Sequence, residues 1–280
     1  MYLNHFGLSE FPFGITPDTS FIYSNDAHQE ALNTLLIGLS AGEGFIKITG
    51  EVGTGKTLLC RRLLSTLDEN HVIAYLPNPM LDPRALLGAI AEELNLALTD
   101  GLHDPSFQLI KLINRHLLEQ AANGKKVIVV LDEAQCMPLE SLETLRLLSN
   151  LETEKQKLVQ VILFGQPELD EKLANPAVRQ LRQRIVLHYR MPGLHREEVA
   201  HYLSHRLRVA GYRGNDLFVG NTSAILWHLS FGTPRLVNIL AHKALLLAFG
   251  EGKPAVTKNH VVQAGRDTEG TRKISWWRTW

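Results

Sequence analysis

Residues 50–57 read GEVGTGKT, and this stretch decides the fold. It has the form G-x-x-x-x-G-K-[ST], a phosphate-binding loop. An apolar run, Phe45-Ile46-Lys47-Ile48-Thr49, leads into it. A helical apolar pattern follows, carried by Leu58, Leu59, Cys60, Leu63, Leu64 and Leu67. That is the strand–loop–helix setting the motif requires. Glycine at 50, 53 and 55 lets the backbone turn tightly, so that successive N–H groups point at phosphate oxygens. The phosphate-contacting set is Gly50, Glu51, Val52, Gly53, Thr54, Gly55, Lys56, Thr57 and Leu58. The following helix adds the partial positive charge of its N-terminus. Lys56 is expected to reach the β- and γ-phosphates of ATP, and Thr57 to hold Mg²⁺ through its hydroxyl.

A second apolar run, Val127-Ile128-Val129-Val130-Leu131, is closed by Asp132-Glu133. Continuous apolar strands mark a parallel sheet buried on both faces. Acidic residues at the carboxyl end of such a strand fit a Walker B site: Asp132 would help hold Mg²⁺, and Glu133 would polarise the attacking water as general base. A helix N-cap pair is the plainer alternative. A buried strand over 158–164 ends in Gly165-Gln166-Pro167, where Gln166 is placed to touch the γ-phosphate or its water. Residues 168–184 read as helical, broken at Asn175-Pro176, and end on Arg179, Arg182 and Arg184 before a strand at 185–189. Either Arg182 or Arg184 is a candidate arginine finger for a neighbouring subunit's nucleotide. A solvated basic helix end is the alternative.

Strands at 45–49, 72–76, 127–131, 158–164 and 185–189 alternate with helices at 27–40, 83–94, 106–122 and 139–151. The expected fold is therefore α/β, a five-stranded parallel sheet flanked by helices. After Met191-Pro192-Gly193 the pattern is helical throughout, at about 195–210, 222–230, 234–249 and 258–267, as for a small all-helical lid. Arg235, in the first turn after Pro234, would reach the γ-phosphate from that lid. The expected domains are an irregular N-terminal segment, 1–26, a nucleotide-binding domain, 27–191, a lid, 192–268, and a Trp-rich basic tail, 269–280. The aromatic N-terminal segment reads either as an adenine-side flap or as a hydrophobic staple onto the body. The tail, with three of the chain's four tryptophans, suits a membrane interface, a docking peptide or a segment packed on the lid.

Composition fits a soluble globular protein: 45% hydrophobic and 21% charged residues, with zero formal net charge. That neutrality gives no global pull toward nucleic acid. The two cysteines form no metal spacing or disulfide framework, which suits a reducing cytoplasm. The first residues, MYLNHFGLSEFPFG, lack a signal-peptide pattern, and no run of eighteen apolar residues is present to span a membrane.

Together GEVGTGKT, VIVVLDEAQ, VILFGQPEL, LRQRI and GTPRLVN resemble AAA+ ATPases of the general secretion pathway protein A type. The opening, with Thr16-Pro17-Asp18, Phe21-Ile22-Tyr23 and His28-Gln29-Glu30-Ala31, is similar too, so the resemblance covers about residues 5–268. It implies Walker A at Lys56 and Thr57, Walker B at Asp132 and Glu133, sensor 1 at Gln166, the finger at Arg182 or Arg184, and sensor 2 at Arg235. Sensor 1 in AAA+ proteins at large is usually a shorter polar residue, so Gln166 departs from the pattern. Larger members continue into a transmembrane helix and a peptidoglycan-binding domain, and this chain stops where that helix would start. A short member of this kind resembles the MSHA pilus biogenesis ATPases. The resemblance implies a homo-oligomeric ring that drives or regulates a type IV pilus or secretion machine at the inner membrane, with protein partners there. Two other functions fit the same motifs: a DNA-dependent ATPase of the transposition-helper or initiator kind, and a slow ATP-dependent switch.

Overall fold

The computed structural model describes residues 2–16, 19–21, 23, 26–96, 105–151 and 157–273. In chain order the elements begin α1 (Tyr2–Phe6), α2 (Asp26–Ala41), β1 (Phe45–Gly50), α3 (Lys56–Thr66) and β2 (His71–Leu76). Next come α4 (Pro83–Glu93), α5 (Pro105–Ala122), β3 (Lys126–Leu131), α6 (Leu139–Leu148), β4 (Val159–Gly165), α7 (Pro167–Leu173), α8 (Arg179–Arg184) and β5 (Ile185–Met191). The last four are α9 (Arg196–Val209), α10 (Thr222–Ser230), α11 (Pro234–Gly250) and α12 (Lys258–Arg266). Two compact units result, one of residues 26–50 and 59–191, the other of residues 1–25, 51–58 and 192–280.

The first unit holds one parallel sheet in the order β2-β3-β4-β1-β5. Alternate residues of each inner strand point to opposite faces, and both faces are covered. Val127, Val129, Leu131, Val161 and Leu163 pack with α4, α5 and α6. Ile46, Ile48, Ile128, Val130, Ile162 and Phe164 pack with α2 and α3. At the edge, β5 exposes Val186, His188 and Arg190. Central β4 is buried throughout, including the polar Gln160. Its amide donates to the carbonyls of Glu43 (3.0 Å), Leu39 (3.3 Å) and Gly38 (3.4 Å), while Lys126 Nζ also donates to Leu39 O. Together they add donors to carbonyls at and just after the end of α2, where intrahelical partners run out. The helix expected over 139–151 ends earlier, at Leu148, because turn hydrogen bonds from Asn150 N–H to Leu147 O and Leu151 N–H to Leu148 O carry the chain out. Residues 152–156, which follow, lie outside the described residues.

In the second unit, α9–α12 enclose a core that includes Leu203, Leu226, Val237, Leu240 and Leu245. The N-terminal segment joins it. Contrary to an irregular segment throughout, Tyr2–Phe6 is a helix, because Tyr2 and Phe6 lie one turn apart and both bury in this core. Phe13 and Phe21 bury there as well, as the staple reading expects. The anchor is Arg206, itself buried. Its Nε donates to Pro12 O at 2.6 Å and Nη1 to the Tyr202 hydroxyl at 3.2 Å, and the guanidinium stacks 4.7 Å from the Phe21 ring. Asn238 Nδ2 adds a bond to Gly14 O, and Tyr202 donates to Asn238 Oδ1. Among the described residues this buried cation is held by carbonyl dipoles and ring faces. Arg206→Ala leaves the Pro12 carbonyl buried without its donor. It should cost about 2–3 kcal/mol in urea denaturation and speed proteolysis within residues 5–15.

Candidate nucleotide-binding site

The GEVGTGKT loop leaves the carboxyl end of β1 and runs into α3, whose first residues are Lys56 and Thr57. Gly53 and Gly55 have φ of +85° and +90°, the left-handed region that only glycine enters freely. Thr54 N–H and Thr54 Oγ1 both donate to Glu51 O, at 3.2 and 2.9 Å, and Lys56 Nζ donates to the same carbonyl at 3.0 Å. Three donors on one oxygen close the loop. Thr54 and Lys56 are buried, whereas Glu51, Val52 and Gly53 are exposed. Gly53 also lies against the start of α11. A Cβ there would sit 2.3 Å from Arg235 Cβ and 3.1 Å from Arg235 N, so the expected sensor 2 residue starts beside the loop, with an exposed side chain.

In the sheet unit, β1, β3 and β4 run parallel and end at one edge, with residues 132, 133 and 166 following the ends of β3 and β4. Asp132 is buried, and one of its oxygens accepts the Glu133 N–H at 3.0 Å. Glu133 takes a left-handed backbone conformation (φ 56°, ψ 37°), unusual for a residue other than glycine. It stands at the N-cap position of the short turn 134–136, but its side chain makes no cap bond there. Instead its Oε2 accepts from Gln166 Nε2 at 3.0 Å and from Gln135 Nε2 at 2.5 Å. Gln135 Oε1 in turn accepts the Gln166 N–H at 3.0 Å. The structure thus brings Glu133 and Gln166 together.

Short helix α7 locks this group in place. Lys172 Nζ donates to Gln135 O and Met137 O at 2.6 and 2.5 Å. Asp170 accepts from Lys47 Nζ and from Thr49 Oγ1, just before the phosphate loop. Gly165 allows the turn into α7, because a Cβ there would lie 2.6 Å from Leu169 Cδ2. Beside Asp132, burial and then that carboxylate push the Cys60 thiol up to about 12, so it remains protonated.

The two finger candidates differ. Arg184 Nη1 donates to Ser149 Oγ at 2.8 Å, a bond within the chain. Arg182 is exposed. Sequence reasoning missed Gln135, Lys172 and Asp170. Lys47 was the available signal for Asp170, because a charged residue inside an apolar strand needs a partner. Nothing in the spacing marked Gln135.

The positive-φ glycines and Lys56 of the loop suit a phosphate chain, and Thr57 offers a hydroxyl oxygen of the kind Mg²⁺ prefers; in the sheet unit Asp132 offers a carboxylate oxygen of that kind. A family described as an AAA domain matches residues 39–173. General secretion pathway protein A of Aeromonas hydrophila is 42% identical over all 280 residues. The chain therefore contains an AAA domain and is similar over its whole length to general secretion pathway protein A. It spans about half, 50%, of that relative's length. Among solved structures, Cdc6p from Pyrobaculum aerophilum matches with a TM-score of 0.65 at 19% identity, over 90% of this chain and 71% of that one. Aeropyrum pernix ORC2, solved as ADPNP–ADP complexes, matches with 0.59 at 16%, over 91% and 72%. The Thermotoga maritima RuvB branch migration motor matches with 0.56 at 16%, over 92% and 73%. These establish the AAA+ fold of the sheet and the helices that follow it.

Both the positive φ and the contact with Arg235 bar a side chain at position 53. Gly53→Ala should lower stability by about 1–2 kcal/mol, which urea denaturation will detect.

Proposed function

We propose that this AAA+ ATPase binds ATP with Mg²⁺, hydrolyses it, and uses the cycle to drive or regulate assembly of a secretion machine at the inner membrane. The narrower form of this reading is the MSHA type IV pilus machine. The observation that carries hydrolysis is Glu133, fixed after β3 by two amide donors on one oxygen. Its other oxygen, Oε1, takes no hydrogen bond among the described residues and is available to accept a proton from water. Loop N–H groups and Lys56 would bind the phosphates, and Thr57 and Asp132 would each offer an oxygen to Mg²⁺, which when bound would offset phosphate charge. Gln166 orients Glu133 and the water beside it. Catalysis then consists of positioning and charge stabilisation.

Residues 192–268 act as the lid. Arg235, whose Cβ lies against Gly53, is the lid's cation toward the γ-phosphate. The chain works as a ring in which Arg182 enters the neighbouring copy's site, while the bond from Arg184 to Ser149 keeps Arg184 at home. Support for the secretion setting comes from the relative's name and its 42% identity. Among the described residues no helix is long and apolar enough to cross a membrane. The Trp-rich tail expected at 269–280 lies outside the described residues from residue 274 on.

Glu133→Gln keeps the shape and removes the base. It should bind ATP within about twofold of wild type and lower turnover by about 10²–10⁴-fold; near-normal turnover would remove Glu133 from this role. Specific turnover should also rise with protein concentration and ignore double-stranded DNA. Stimulation by DNA at low salt, fading as salt rises, would instead favour a DNA-dependent ATPase.

A further inference from the structure

We infer that Gln135 is a positioning residue for hydrolysis: its side-chain amide ties the end of β3 to the end of β4 and aims the Glu133 carboxylate. The inference rests on the hydrolytic reading of Glu133 and assigns a part to a residue to which neither the Walker A nor the Walker B reading gives one.

Both ends of the Gln135 amide are used. Nε2 donates to Glu133 Oε2 at 2.5 Å, and Oε1 accepts the Gln166 N–H at 3.0 Å. The Gln135 backbone is fixed independently, because Lys172 Nζ donates to its carbonyl at 2.6 Å. Gln166 closes the ring through its own side chain, Nε2 to Glu133 Oε2 at 3.0 Å. Three residues thus form a cycle of three hydrogen bonds, and each bond constrains the other two.

Geometry makes the cycle specific. Glu133 is held in the left-handed backbone region, where the carboxylate has left the line of β3. Such a residue stays in place only where its surroundings over-determine it. The Asp132 carboxylate fixes its N–H, and the two amides fix its side chain. Both amides fall on the same oxygen. That choice leaves Oε1 for the water, and a carboxylate free to rotate would present either oxygen in many directions. Only a side chain with a donor and an acceptor on one rigid plane can bridge Glu133 Oε2 and the Gln166 N–H together, and glutamine provides both.

The test uses the full chain and compares wild type, Gln135→Met and Gln135→Glu in steady-state ATP turnover and in equilibrium binding of a fluorescent ATP analogue. Gln135→Met keeps the length and removes both hydrogen bonds. It should lower kcat by about 10- to 100-fold with Kd within twofold. Gln135→Glu keeps the acceptor for the Gln166 N–H and removes the donor to Glu133 Oε2. It should lower kcat by about 10-fold or more, again with Kd within twofold, a split between turnover and binding that general loss of packing would not produce. Wild-type kcat in Gln135→Met overturns the inference. So does wild-type kcat in Gln135→Glu, or a Kd that weakens as much as kcat falls, and either decides the matter if Gln135→Met fails to fold. Failure of the underlying reading shows separately, as a Glu133→Gln variant that turns over ATP normally, and it would take the positioning role with it.

Discussion

Parallel pairing of β1 with β4 and of β4 with β3 fixes where polar side chains can stand in this molecule. A parallel sheet covered on both faces excludes charge from its middle and delivers the ends of its strands to one edge. Charge that must be near the sheet is therefore either paired or placed at that edge. Lys47 is the paired case: in the middle of β1, it meets Asp170. Asp132 and Glu133 are the edge case, as the first two residues beyond β3. Gln160 is a third solution, a buried amide spent on the carbonyls at the end of α2.

Helix α7 is short, and its two charged residues do different work. Asp170 reaches Lys47 and Thr49 on β1, whereas Lys172 reaches carbonyls just after β3. The helix itself follows Gln166 at the end of β4. One rigid turn of helix thus tethers three strand ends to each other. This shared support holds Glu133 in a backbone region that costs about 1–2 kcal/mol. The strain is local, and the bonds that oppose it come from three separate elements.

Much of this was legible in the sequence, for physical reasons. Apolar runs of five residues closed by Gly-x-x-x-x-Gly-Lys or Asp-Glu specify buried parallel strands and polar ends, because few other arrangements bury such runs. The helices after residue 192 were legible from period and capping, with Pro234 at the start of α11 and glycines between elements. What escaped were bonds that depend on three-dimensional register. Arg206 looked like one more charge on an amphipathic helix, yet it anchors Pro12 across 194 positions. Gln135 looked like a loop residue, because the proximity of its amide to Gln166 follows from strand order and not from spacing.

Gln166 shows how a departure from a family pattern can be read. A shorter polar side chain is the usual residue at the corresponding place, and by sequence alone the length of glutamine counts against a role. In the fold that length has a use. The Gln166 backbone N–H is taken by Gln135, and its side chain must still extend to Glu133 Oε2, 3.0 Å from Nε2. An asparagine, one methylene shorter, would have to draw the backbone toward Glu133 to make the same bond, and would strain the Gln135 bridge in doing so. Residues 135 and 166 are therefore fitted to each other. A glutamine at either place is best understood with the other present, and comparison of single positions against a general pattern misses the pair.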